Sequence, residues 1–293
     1  MKYSNPKIPE GINVSDEHPL KDFFAMLAAV ALFAVAVIFT LAVLAEQLVR
    51  FIPFEVEQSL AERFINSELS VDNGGDEAPQ QQQIEDYLQQ LADQLNKADS
   101  SLYSDDIDRL PITVHYVDSD EINAFATLGG HILIFRGLLE HMPNENALAM
   151  VLGHEIAHIQ HRDPIVALGR GLTIGVAMMS IAGIGDGAMS EQLLSHVATL
   201  SHLSFSRAHE QEADDSALHT LSQYYGHVGA ADSLFTILLE QQNGSQPPIF
   251  FSTHPLNKDR ITRIQQHPGY RSDATLTPLP DWLNAAIEPP SER

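Results

Sequence analysis

The longest uniform pattern in the chain is apolar. Residues 23–45, FFAMLAAVALFAVAVIFTLAVLA, carry no charge, and Thr40 is the lone polar side chain. At ~1.5 Å per residue a helix of this length reaches about 34 Å, enough for the hydrocarbon layer of a bilayer. A secretory signal is the rival reading, because Val43 and Ala45 resemble a small-residue cleavage site. Signal cores run to only about 7–15 residues, so length favours an uncleaved anchor behind a tail, residues 1–22. A second apolar stretch, 165–185, is interrupted by Arg170 and thinned by glycines. It predicts a buried or membrane-surface hairpin in preference to a second crossing.

Past the anchor the pattern becomes mixed. Residues 46–70 predict a helix leaving the membrane, and SVDNGGDEAPQQQQ, 70–83, predicts a linker. Ile84, Tyr87, Leu88, Leu91 and Leu95 recur at helical spacing, giving an amphipathic helix that packs on the domain behind it. LPITVHYV, 110–117, alternates like a strand, and AFATLGGHILIFRG, 124–137, reads as a hairpin turning at Gly129 and Gly130. Asn144 suits the N-cap of a helix running to about Arg162. A long helix from about Ser190 ends at Tyr225 before Gly226, and others cover 229–242 and 256–267. Four prolines mark 271–293 as a flexible C-terminal tail. The fold class is α+β, mainly helical: a transmembrane helix at 23–45, a helical linker region at 46–109 and a domain at 110–270.

Composition narrows the chemistry. The formal charge is -23, nearly all of it beyond the anchor. Such a surface repels phosphate backbones, so nucleic acid is not a partner. Cysteine is absent, which rules out thiol nucleophiles and thiolate metal sites. Any metal must be held by histidine and carboxylate. Lys2, Lys7 and Lys21 precede the span, against Arg50 and Arg63 in the first stretch after it. The positive-inside tendency leaves the tail in the cytoplasm and the domain outside; for a bacterial inner membrane that is the periplasmic side.

The candidate chemistry lies in LGHEIAHIQHRD, 152–163. His154 and His158 are four residues apart, so about 40° separates them on a helix and both imidazoles reach one ion. Glu155 is rotated about 100° from His154 and addresses a water instead of the ion. Zinc suits nitrogen and oxygen ligands in a tetrahedron. The third ligand is sought in SRAHEQEADDSALH, 206–219, where Glu210 and Asp214 share one helical face. A solvated acidic face remains the alternative there. His161 sits a further turn from His154, too far to share the ion, and His209 faces elsewhere.

Four stretches taken in order resemble the gluzincin metallopeptidases of family forty-eight, the group of HtpX-like and CAAX-prenyl-protease-like enzymes. They are NAFATLGGHILIFRGLL (123–139), HEIAH, SRAHEQEAD and THPLNKDRI (253–261). The resemblance implies a zincin-like domain with a small sheet and an edge strand beside the metal helix. It implies His154, His158 and Glu210 as zinc ligands, Glu155 as general base and Asp214 as the partner of a ligating histidine. The strand 131–135 would align an extended peptide by backbone pairing. His254 and Arg260 would stabilise a developing oxyanion or gate the metal, with capping and packing the alternative for His254. The one apolar span places the resemblance nearer the single-anchored or periplasmic branch.

The expected function is a membrane-anchored zinc endopeptidase acting on unfolded or misassembled envelope proteins, anchored in the lipid bilayer through 23–45. Its rival is a zinc-dependent chaperone or assembly factor that binds extended polypeptides and cleaves little. A purely structural zinc site is disfavoured by Glu155, because such a site needs no base beside the metal.

Overall fold

The computed structural model describes residues 19–49, 51–69, 78–98, 109–182, 205–241, 249–250, 254 and 258–287. Helix α1, Pro19–Val49, contains the apolar run, and its side chains there are largely exposed, as an anchor for lipid requires. Helix α2, Phe54–Leu69, follows, and α3, Ala78–Ala98, begins just before the glutamine tract, inside the stretch that reads as linker. Glutamine is a sound helix former, so the tract extends the amphipathic helix instead of separating it. Ile84, Leu88, Leu91, Ala92 and Leu95 of α3 are buried in the main core. This helix, assigned to a linker region by pattern, is thus part of the domain's packing.

The sheet has three strands in the order β1-β3-β2: β1 is Thr113–Val117, β2 Ala124–Ala126 and β3 His131–Phe135. Strand β3 runs parallel to β1, in the register Thr113 to His131, and antiparallel to β2, with Ala126 opposite Ile132. It is therefore the central strand, and the expectation that 131–135 forms a free edge is corrected. Its residues explain the place. After His131 it is apolar at every position, the pattern of a strand covered on both faces. One face, with Ile132 and Ile134, meets α3 and the metal helix; the other, with Leu133, meets Ala61, Ile65, Ile165 and Leu168. The edge strand beside the metal helix is β2. The outer edge of β1 is already occupied, because Val114 N donates to Gln89 at 2.8 Å and Tyr116 N to Glu85 at 3.0 Å.

The hairpin turns where expected. Gly129 and Gly130 have φ of 73° and 85°, and a Cβ on Gly130 would lie 2.1 Å from Pro111 O. Glycine is the residue that satisfies both conditions.

After a short helix, α4 (Arg136–Leu139), comes α5, Glu145–Gln160, capped by Asn144, whose side chain accepts from Ala147 N at 2.9 Å. Helix α6, Asp163–Ala182, is continuous over a stretch expected to form a hairpin, and it packs along α1. Residues 183–185 lie outside the described residues. Helix α7, Arg207–Tyr225, starts later than its pattern suggests: Ser206 is extended (φ -70°, ψ 155°) and caps it by accepting from His209 N. Gly226, at φ 78°, closes it as expected. Helices α8 (Ser233–Gln241) and α9 (Lys258–Gln265) complete the region around the core.

The expected flexible tail is corrected in part. Helix α10, Asp281–Ile287, buries Leu283, Ala286 and Ile287 in the main core, and Trp282 stacks edge-on against Tyr87. The prolines here set the entry to a packed helix: Leu283 N donates to Pro280 O at 2.9 Å.

Candidate metal centre

Two helices and one loop residue converge on a point beside β2. α5 supplies His154 and His158, stacked one turn apart and fully buried. α7 supplies Glu210 from its first turn, fixed by the Ser206 cap. The fourth residue is His254, also fully buried. One ligand atom from each of the four lies within 4.8 Å of every other.

The separations are more telling than the limit. His154 Nε2 lies 3.1 Å from His158 Nε2 and 3.2 Å from His254 Nδ1. Glu210 Oε1 lies 3.0 Å from His254 Nδ1 and 3.4 Å from His158 Nε2, and its Oε2 lies 3.5 Å from His154 Nε2. A tetrahedral ion with bonds of ~2.0–2.1 Å sets its ligands about 3.3–3.4 Å apart. The separations of 3.0–3.5 Å lie near that spacing, with Glu210 presenting Oε1 to His254 and His158 and Oε2 to His154, so the donor set fits a metal.

The imidazoles are also held from behind. His154 Nδ1 meets Asp214 Oδ1 at 3.0 Å, and His158 Nδ1 meets Asp163 Oδ2 at 2.8 Å. Each leaves its Nε2 facing the cluster, the arrangement that orients metal-binding histidines. Arg260 clamps Asp214 through Nε at 2.7 Å and Nη2 at 2.8 Å, and its Nη1 lies 3.1 Å from Glu210 Oε2. Its guanidinium rests over Phe235, 4.7 Å from the ring centre.

Electrostatics follow this geometry. Burial works against a charged His158, yet its bonds to Asp163 and Glu210 prevail and raise it to about 9. His154 is raised for the same reason, by Asp214 and Glu210 against burial. Burial opposes ionisation of Glu210, but His254, His154 and His158 together hold it far below the ordinary carboxylate range. Asp214 falls to about 2, since Arg260 and His154 outweigh its burial. The carboxylates stay ionised around a centre that favours positive charge.

Glu155 stands next to this cluster. Its Oε2 accepts from Ala126 N of β2 at 2.7 Å, while Oε1 lies 3.5 Å from His254 Nε2 and has no hydrogen-bond partner. Phe205 stacks on the His158 ring, centroids 4.1 Å apart, and walls one side.

The structure thus brings together His154, Glu155, His158, Glu210, Asp214, His254 and Arg260. His161 stays outside the four, at the C-cap of α5. His209 faces Asp163, its Nδ1 3.4 Å from Asp163 Oδ1. Asp163 is the neighbour of His158 that pattern reading missed. It stands at the end of LGHEIAHIQHRD, but only the turn at Arg162 brings it back to His158. The other omission is Ala126, which contributes a backbone N–H, invisible to any side-chain pattern.

A buried set of three histidines and a carboxylate with a second glutamate beside it is the donor set of a candidate metal centre. Residues 78–267 match the model of Peptidase family M48, and the chain belongs to that family of metallopeptidases. It is 31% identical over 179 residues to the putative beta-barrel assembly-enhancing protease of Vibrio cholerae, covering 55% of this chain and 36% of that protein. It is 33% identical over 157 residues to the mitochondrial metalloendopeptidase OMA1 of Schizosaccharomyces pombe, covering 52% and 45%. Metalloprotease LoiP of Escherichia coli is 29% identical over 159 residues, covering 53% and 62%. The chain spans little more than a third of the length of the beta-barrel assembly-enhancing proteases it matches.

Proposed function

We propose that the chain is a membrane-anchored, zinc-dependent endopeptidase whose substrates are unfolded or misassembled envelope proteins. The observation that carries the reading is the buried four-residue donor set with Glu155 pinned by one oxygen and without a hydrogen-bond partner at the other. His154, His158 and Glu210 hold the ion. When bound, zinc supplies Lewis acidity, bringing the pKa of an attacking water toward about 7 and polarising the scissile carbonyl. Glu155 takes the water's proton at Oε1 and delivers it to the leaving amine, while Ala126 N keeps the carboxylate from turning away. Asp214 and Asp163 fix the two imidazoles, and Arg260 is a positioning residue that holds Asp214 and Glu210. The outer edge of β2, beside the metal helix, is buried in this form with Ala126 N held by Glu155, and it aligns an extended polypeptide by backbone pairing only once uncovered.

His254 is the fourth protein donor and completes the set. A closed site lacks the open position that hydrolysis needs, so this is a latent form that His254 must leave for turnover. The lysine excess of the tail supports a periplasmic domain on a bacterial inner membrane. The named role of the Vibrio cholerae relative in β-barrel assembly supports the substrate class. The same closed geometry is the observation that favours the second reading, a zinc-dependent chaperone that binds extended chains with little cleavage.

The test uses the full chain in detergent: zinc content and casein cleavage for wild type, Glu155→Gln and His254→Ala. Zinc is expected in all three, with cleavage slow in wild type and faster in His254→Ala. Glu155→Gln should be reduced by roughly 10²–10⁴-fold, the usual worth of a general base. Zinc in all three with cleavage in none would replace the peptidase reading with the binding one.

A further inference from the structure

The bilayer contact does not stop at α1. On α1 the uncharged run ends at Ala45 and Glu46 follows; on α6 the last charge is Arg170, and Leu172–Ala182 carries none. These two charges touch: Arg170 Nη2 lies 2.8 Å from Glu46 Oε2. The apolar runs of two neighbouring helices therefore begin at one level. At that level the helices are close enough that a Cβ on Gly169 would lie 2.5 Å from Val49 Cγ2. Val49 meets Gly169 and Glu46 meets Arg170, so the two helices pair in opposite directions and beyond Arg170 helix α6 advances along the apolar part of α1. On α1 the partly covered positions are Ala34, Ile38, Ala42, Ala45, Glu46 and Val49, one face at helical spacing, among residues otherwise exposed.

We propose, resting on the reading of α1 as a bilayer anchor, that α6 is a membrane-dipping helix whose Leu172–Ala182 part enters the lipid beside α1. Its depth follows from its length. At ~1.5 Å per residue Leu172–Ala182 reaches about 16 Å, roughly half of a ~30 Å hydrocarbon layer. The first residue of α6, Asp163, touches His158, and Phe205, where the described chain resumes, stacks on the same ring. Asp163 and Phe205 thus both lie at the metal centre, on the side from which α6 starts. An Arg at the rim, paired with Glu46, keeps its charge at the interface while the helix beyond it is uncharged. Two membrane elements then hold the metal centre near the bilayer surface, since Asp163 precedes the lipid level by about two turns.

The chain contains no cysteine, so single-cysteine spin labelling needs no background removal. The full chain is reconstituted in phospholipid vesicles, with labels placed one at a time from Ile174 to Ala182. Ala36→Cys on α1 is the lipid reference and Gln223→Cys on α7, which is exposed, the water reference. Collision rates with oxygen and with a water-soluble nickel complex are measured at each. The expected result is oxygen access and nickel exclusion approaching the Ala36→Cys values, with minima on the face toward α1. Nickel access matching Gln223→Cys would put α6 in water and overturn the proposal. Protection from both reagents across the whole scan would overturn it equally, placing α6 inside protein or against a second copy. Scanning consecutive positions keeps the outcome independent of any one variant that fails to fold.

Discussion

Asp163 lies five residues after His158, a spacing that would put the two about 140° apart on one straight helix. The contact of 2.8 Å exists because the chain breaks at Arg162, where φ is 62°, in the left-handed region. That conformation is held from outside: Arg162 pairs with the buried Glu57 of α2 at 2.7 Å and donates to Ile52 O at 2.9 Å. Burial raises Glu57, while Arg162 and Gly129 N act to keep it ionised. Replacing Asp163 by Asn should weaken zinc binding about 10–100-fold, the usual effect of losing such a partner. A competition titration against a chromogenic chelator measures it, with thermal unfolding in excess zinc confirming the fold. Unchanged affinity would show that Asp163 does not orient His158. His154, Glu155 and His158 were legible in the sequence because helical spacing alone puts the two imidazoles on one face. Glu210 and Asp214 were legible as a pair one turn apart. Asp163 was not, because its role depends on a backbone break that Glu57, more than 100 residues earlier in sequence, stabilises. His254 was readable only as a candidate, since nothing local brings a residue 100 positions from His154 into the cluster.

At the scale of elements, caps and turns were read correctly where a single residue type decides them: Asn144, the Gly129–Gly130 hairpin and Gly226. Boundaries failed where two signals competed. Ser206 interrupts a helical pattern to cap α7, and the glutamine tract before Ile84 is helical despite its low complexity. The strand order was missed because pairing is a tertiary choice, although the unbroken apolar run of β3 carries the signature of a central strand. The pairing of β1 and β3 also has a chemical consequence. His115 Nε2 and His131 Nδ1 lie 2.9 Å apart on the face toward α2. Burial, and then the neighbouring imidazole, lower His115 from 6.5 to about 4; burial also lowers His131, with Glu62 opposing. A folded state that resists protonation binds fewer protons than the unfolded chain. Stability from this pair is therefore present above pH 6.5 and is lost as pH falls toward 4. Allowing for solvent screening of a half-buried group, the loss is on the order of 1–2 kcal/mol. His115→Gln, which cannot take up the proton, should flatten that part of the curve. Denaturant midpoints measured across the window decide it, and parallel curves for the two proteins would remove the pair from the acid response.

For the whole molecule, charge and placement act together. Nearly all of the net charge of -23 lies in the chain beyond α1, the part that also holds the metal centre. α7 shows the division on one helix: Glu210 and Asp214 face inward to the centre, while Glu212 and Asp215 are exposed. Since the buried carboxylates are balanced by histidine and Arg260, the field felt by an approaching chain is set by the unbalanced acids outside. A field of one sign raises the local concentration of oppositely charged chains and lowers that of like-charged ones. Unfolded polypeptides of equal length and matched apolar content should therefore be cleaved at rates ordered by charge, cationic before anionic. A difference of roughly tenfold or more in kcat/KM is expected at low ionic strength. It should collapse as salt shortens the Debye length toward about 3 Å near 1 M. The same pair assayed on Glu155→Gln for binding alone separates steering from chemistry, because steering survives loss of the base. Equal rates at low salt would mean that the surface charge serves solubility, and that selection of substrates rests on the β2 edge and on the distance of the metal centre from the bilayer.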